Sequence, residues 1–142
     1  MGQEIESAKF NPADFEKFQS HLLDEMSLLR ELFSHDSFIS GHPVGGHELE
    51  AWLVDQSTQP APINQEFLAR LSNPLVVQEL SRFNVELNSI PRKLSGKAMG
   101  LMQADLSVLW NSCQQTAATL NARLVMMGTL PVLDDSQLTM DN

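Results

Sequence analysis

Cysteine, positive charge and long apolar runs are scarce in this 142-residue sequence, and each shortage closes off a class of function. The single cysteine, Cys113, has no partner for an internal disulfide, which argues against a disulfide-stapled extracellular scaffold. Nine Lys and Arg stand against 18 Asp and Glu, for a formal charge of -9. Such a surface repels phosphate backbones and anionic lipid alike, so neither a nucleic-acid partner nor a membrane partner is expected. No apolar run approaches the roughly 20 residues that span a bilayer. No basic segment leads into an apolar signal core, and position 6 is Glu6 where a myristoylation signal wants Ser or Thr. A cytoplasmic location is the expectation.

What is present is the composition of a folded domain, 42% hydrophobic and 19% charged, richer in apolar side chains than disordered chains are. At this length folding removes about two-thirds of the unfolded chain's surface from water, so a core can form without staples. Asn11-Pro12 reads as a helix cap followed by proline at the first helical position. Phe15, Phe18, Leu22, Met26, Leu29 and Phe33 then recur every three or four residues, which predicts an amphipathic helix over 12–33. Glycine, proline, histidine and serine make 34–46 a loop. A run rich in Leu, Trp and Val predicts a strand over 47–55, closed by the polar and proline residues of 56–62. A short helix is expected at 64–71, and a second after the Asn73-Pro74 cap, carrying Leu75, Val76, Glu79 and Leu80.

Strict alternation of Phe83, Val85 and Leu87 with Asn84, Glu86 and Asn88 predicts a half-buried strand over 83–89 that Ile90-Pro91 stops. Ala98, Met102, Leu106, Leu109, Cys113, Ala117, Leu120 and Leu124 keep helical spacing, which predicts one long helix over 95–122. A third strand at 123–127 enters the Gly128-Thr129-Leu130-Pro131 turn, and 134–142 reads as a loose polar end. The class is α+β, with a helix-and-loop segment 1–45 followed by a second segment 46–142.

Chemistry concentrates in the strands. Alternate residues of a strand share a face, so Glu48 and Glu50 point the same way. Two carboxylates side by side on an otherwise apolar strand repel and lose hydration, and a hard divalent ion is the natural compensator. Asn84, Glu86 and Asn88 form a similar polar face on the next long strand. Three carboxylates converge if the two faces meet. The competing reading is that both faces simply look at water; Trp52 and Val54, on the face of Glu48 and Glu50, favour partial burial instead.

Gly46-x-Glu48-x-Glu50 leading to Val54-Asp55, then Val77-Gln78-Glu79-Leu80, then Phe83-Asn84-Val85-Glu86-Leu87-Asn88-Ser89-Ile90-Pro91, and finally Met127-Gly128-Thr129-Leu130-Pro131 follow one another at set intervals. In order and spacing they resemble the opening of the glutamate-cysteine ligase-like carboxylate-amine ligases, over about 46–142. The resemblance implies part of a glutamine-synthetase-like antiparallel sheet, with a long amphipathic helix and an added amino-terminal helix. It implies Glu48, Glu50 and Glu86 as ligands of Mg2+ or Mn2+ held against ATP phosphates, and Asn88 as a residue that orients a ligand or a substrate group.

The implied reaction joins an amino-acid carboxylate, the glutamate side chain, to an amine through an acyl phosphate made from ATP, as in glutathione biosynthesis. Family members continue for several hundred residues past the Gly-Thr-x-Pro turn. The resemblance therefore implies an amino-terminal portion of the enzyme, inactive as a fragment, whose ATP and amino-acid partners belong to the full protein. Self-association through an unfinished sheet is a further expectation.

Other features carry blander readings. His42 and His47 lack a third ligand for zinc, and Gly45-Gly46 lacks the Lys and Ser/Thr of a phosphate loop. Cys113 falls on an apolar stripe, as a buried and inert thiol does. Arg92, Lys93 and Lys97 read as a solvated helix start. The alternative function is a non-catalytic helical protein-protein interaction module, which needs no metal.

Overall fold

A capped start and a three-four apolar spacing produce the first helix, α1 (Pro12–Ser34), in the computed structural model, which describes residues 9–38 and 41–137. The Asn11 side-chain oxygen accepts from the N–H groups of Ala13 at 2.9 Å and Asp14 at 3.3 Å, while Asp14 accepts from the Asn11 N–H at 2.8 Å. This reciprocal cap satisfies donors that the first helical turn leaves without partners. α1 belongs to the first of two compact units, Met1–Gly41, and none of its residues is buried.

The second unit, His42–Asn142, holds the remaining elements. In chain order they are β1 (Val44–Gly45), β2 (Glu48–Asp55), α2 (Asn64–Leu71), β3 (Val76–Gln78), β4 (Asn84–Asn88), β5 (Arg92–Lys93), α3 (Ala98–Thr119), β6 (Ala122–Val125) and a 3-10 turn at Asp135–Gln137. Four strands form an antiparallel sheet in the order β3-β4-β2-β6, and β1 pairs with β5 in a separate two-stranded ladder. The class is mixed α+β, with three α-helices among the described residues.

The pleat explains the layering. Ala51 and Leu53 of β2, Val85 and Leu87 of β4, Val76 of β3, and Ala122 and Leu124 of β6 are all at most 4% exposed. They pack in one cluster with Phe67 of α2 and with Leu109, Cys113 and Ala117 of α3. Both helices therefore cover one side of the sheet, and the alternate residues emerge on the other.

Several expectations need correction. Residues 73–80 are not a helix: Asn73 does cap, but its side chain accepts from Leu75 N–H at 3.0 Å and closes a turn into β3. Pairing wins there because Val76 gains burial and Leu75 O accepts from Asn88 N–H at 2.7 Å. The 34–46 loop contains β1, and Arg92 and Lys93 sit on β5, outside any helix start. The long helix spans Ala98–Thr119, because Asn121 takes a left-handed φ of 55 and turns the chain into β6. The loose end expected at 134–142 lies partly outside the described residues; of these, Asp135–Gln137 forms the 3-10 turn. Among the described residues no helix is long and apolar enough to cross a membrane.

The core assignment makes a stability contrast. Phe67 is fully buried and Leu80 is 95% exposed. Phe67→Ala is expected to cost about 3–5 kcal/mol in urea unfolding, through lost burial and a residual cavity. Leu80→Ala is expected to stay within about 0.5 kcal/mol.

Candidate functional site

The β2–β4 register decides which side chains meet. Glu50 lies directly opposite Glu86, Glu48 opposite Asn88, and Trp52 opposite Asn84. Directly opposed residues in an antiparallel pair hold their Cβ atoms about 4.5–5.5 Å apart. Glu48, Glu50 and Glu86 thus share the sheet face that α2 and α3 leave uncovered, with Asn88 beside them.

Their surroundings differ. Glu48 and Glu50 are exposed, whereas Glu86 is only 6% exposed, on a strand flanked by β2 and β3. Asn88 donates a side-chain hydrogen bond to Glu86 at 2.8 Å, which compensates part of the lost hydration. Trp52 anchors the other end of this face: its indole N–H donates to Met127 O at 2.9 Å, and its ring stacks on Phe83 with centroids 5.9 Å apart. Asp55 takes no part in the acidic group, because it accepts from the N–H groups of Ser57 and Gln59 and so closes the turn after β2.

A fourth carboxylate joins the three anticipated ones. Val77 of β3 lies opposite Glu86, and Glu79 follows just past the end of β3, near enough to feel the charges of Glu86, Glu50 and Glu48. Burial holds the Glu79 carboxyl above its ordinary value, and the charges of Glu86, Glu50 and Glu48 push it further the same way. Reading 73–80 as helical hid this residue, although the period-two step from Val77 was present in the sequence.

The amino-terminal end of β2 is built with equal care. His47 N–H donates to the Ser89 hydroxyl at 2.7 Å, and Ser89 N–H donates to His47 O at 2.9 Å. A Cβ on Gly46 would come within 3.1 Å of that hydroxyl and 3.6 Å of Pro91 Cα, so glycine permits the approach. A cavity of about 470 Å³ opens here, lined by Gly46, His47, Glu48, Asn88, Ser89 and Pro91. His47 Nε2 is buried beside it without a hydrogen-bond partner. Glu48 and Asn88 belong both to this cavity and to the acidic face.

Among the described residues, no three His, Cys, Asp or Glu side chains close around one point as a metal shell. The donors nonetheless suit a hard cation, since all are carboxylates, and the two exposed ones are long side chains free to change rotamer. His42 lies exposed, two positions before β1, and Cys113 is buried in the core. Comparison with models of protein families, with curated proteins and with solved structures finds no match to this chain.

The site gives two expected outcomes. Glu79 binds its proton more tightly when folded than when unfolded, so its contribution to stability is present below the ordinary carboxylate value of 4.5 and is lost as pH rises through the higher folded value. Glu79→Gln should therefore melt higher than the unsubstituted protein at pH 7, with the gap closing toward pH 4; an equal gap at both values contradicts the assignment. Burial also pushes the Cys113 thiol up to about 11. At pH 8 it should resist a thiol reagent until urea unfolds the protein, and rapid labelling of the native state would contradict that.

Proposed function

We propose that the uncovered acidic face binds a divalent cation, magnesium or manganese, and that the chain contributes this site to an ATP-dependent ligase joining an amino-acid carboxylate to an amine. One observation carries the reading. Glu50 and Glu86 are paired across two hydrogen-bonded strands, with Glu48 and Glu79 beside them, on the face that the helices leave free. Among the described residues no ion pair neutralises these like charges, and a cation supplies that compensation.

The residues have separable roles in this reading. Glu86, nearly buried and fixed by the Asn88 hydrogen bond, is the preset ligand. Glu48 and Glu50, exposed, close on the ion by rotamer change. Asn88, whose amide donates to Glu86, also lines the cavity at Gly46 and Ser89, where a polar substrate group can be oriented. When bound, magnesium neutralises phosphate charge during transfer of the ATP γ-phosphoryl group to a carboxylate. The antiparallel sheet with helices on one side is compatible with a glutamine-synthetase-like catalytic sheet, and the motif order in the sequence favours the glutamate-cysteine ligase type.

Binding to this chain alone should be weak, with a dissociation constant near millimolar, or about 4 kcal/mol of binding free energy. At 10 mM MgCl2 that affinity raises the melting temperature by about 5 °C over a matched ionic-strength control in NaCl. Glu50→Gln should abolish the rise while leaving the metal-free protein as stable or more stable. A rise of equal size in NaCl, or one retained by Glu50→Gln, would count against the cation site and leave the helical interaction module as the better reading.

A further inference from the structure

The first unit carries a surface that the cation site does not use. α1 buries none of its 23 residues, and Phe15, Phe18 and Phe33 are 62%, 67% and 68% exposed. Leu22, Met26 and Leu29 lie open beside them. These six side chains form three pairs eleven residues apart: Phe15 with Met26, Phe18 with Leu29, and Leu22 with Phe33. Eleven residues complete about three helical turns, so the stripe runs nearly straight along one side of the helix. Aromatic neighbours prolong it at both ends, Phe10 against Phe15 with centroids 6.3 Å apart and Phe38 against Phe33 at 4.6 Å. A cavity of about 630 Å³ lies along its amino-terminal half, lined in part by Phe10, Phe15, Phe18 and Leu22.

We propose that this stripe docks a second copy of the same chain, α1 against α1 in parallel. The inference is independent of the cation site. Area favours it first. At roughly 200 Å² for each aromatic side chain and somewhat less for the others, covering what the six expose removes about 600 Å² per copy. A symmetric pair then buries on the order of 1,200 Å², which reaches the range of specific, stable interfaces.

Charge fixes the direction. Glu25 and Arg30 flank Met26 and Leu29 on opposite sides of the stripe, and among the described residues neither has an ion-pair partner in its own chain. In a parallel pair, opposite flanks of the two helices meet, so Glu25 of each copy faces the partner's Arg30, twice by symmetry. An antiparallel pair brings like flanks together and turns Glu25 toward its own counterpart.

Sedimentation of the full chain from 1 to 100 µM at 0.15 M salt tests the proposal. The chain should sediment as a dimer at the upper end, and Leu22→Lys should return it to monomer. Glu25→Arg should weaken the dimer about tenfold, because two attractions become two repulsions. Glu25→Arg combined with Arg30→Glu should restore affinity to within about threefold. Phe33→Cys should form a disulfide-linked dimer under a mild oxidant, since Cys113 is buried and α1 positions 33 adjoin only in the parallel arrangement. These substitutions lie outside the second unit, so its melting temperature should stay unchanged, while unchanged far-UV helicity at the upper concentration verifies that α1 is still formed in each variant. A monomer at all concentrations overturns the proposal, as does a dimer indifferent to Leu22→Lys. A double charge reversal no tighter than the single one overturns the parallel pairing.

Discussion

The antiparallel register between Glu48–Asp55 and Asn84–Asn88 is the constraint on which the second unit depends. Side chains alternate with period two, so a slip of one residue would turn Glu50 toward the helices and Ala51 toward water. Three features hold the register. The mutual hydrogen bonds of His47 and Ser89 clamp one end, and Leu53 N–H donating to Phe83 O at 2.7 Å clamps the other. The missing Cβ at Gly46 lets the strands close there. Once this ladder is set, Ala51, Leu53, Val85 and Leu87 have only one side on which to bury, and α2 and α3 supply the cover.

The same alternation that builds the core creates the electrostatic cost. Each apolar residue turned to the helices turns its neighbours to the opposite face, and in β2 and β4 three of those neighbours are glutamates. One Asn88 hydrogen bond offsets part of the cost at Glu86, and burial, together with the charges of Glu86, Glu50 and Glu48, raises the proton affinity of Glu79. A sheet selected for stability alone would place threonine or lysine at such positions. Retaining like charges across a ladder motivates the cation site we propose, and the cavity at Gly46, His47 and Ser89 opens beside it.

Much of this was legible in the sequence because strong local patterns agreed with tertiary packing. The capped α1, the long α3 and the alternating β4 all carried periods that no other element imitates. Glu48, Glu50 and Glu86 could be placed on common faces by parity alone, and their meeting needed only that β2 and β4 pair. What stayed hidden depends on contacts distant in sequence. β3 has three residues, too few to show a period, and its Asn73 cap serves a turn as readily as a helix. β1 and β5 are two-residue ladders stabilised by each other, with no local signature. Glu79 was missed for the same reason as β3, since it follows directly on that strand, whose pairing with β4 brings it near Glu86.

One sheet face is a core and the other is the cation site we propose, and manganese relaxation in NMR separates the two faces within a single experiment. Substoichiometric Mn2+ should broaden the signals of Glu48, Glu50, Glu86 and Asn88 before those of Cys113 and Ala117 on the helix behind the sheet. Uniform broadening across both layers, or broadening confined to the carboxylates of α1, would contradict the account.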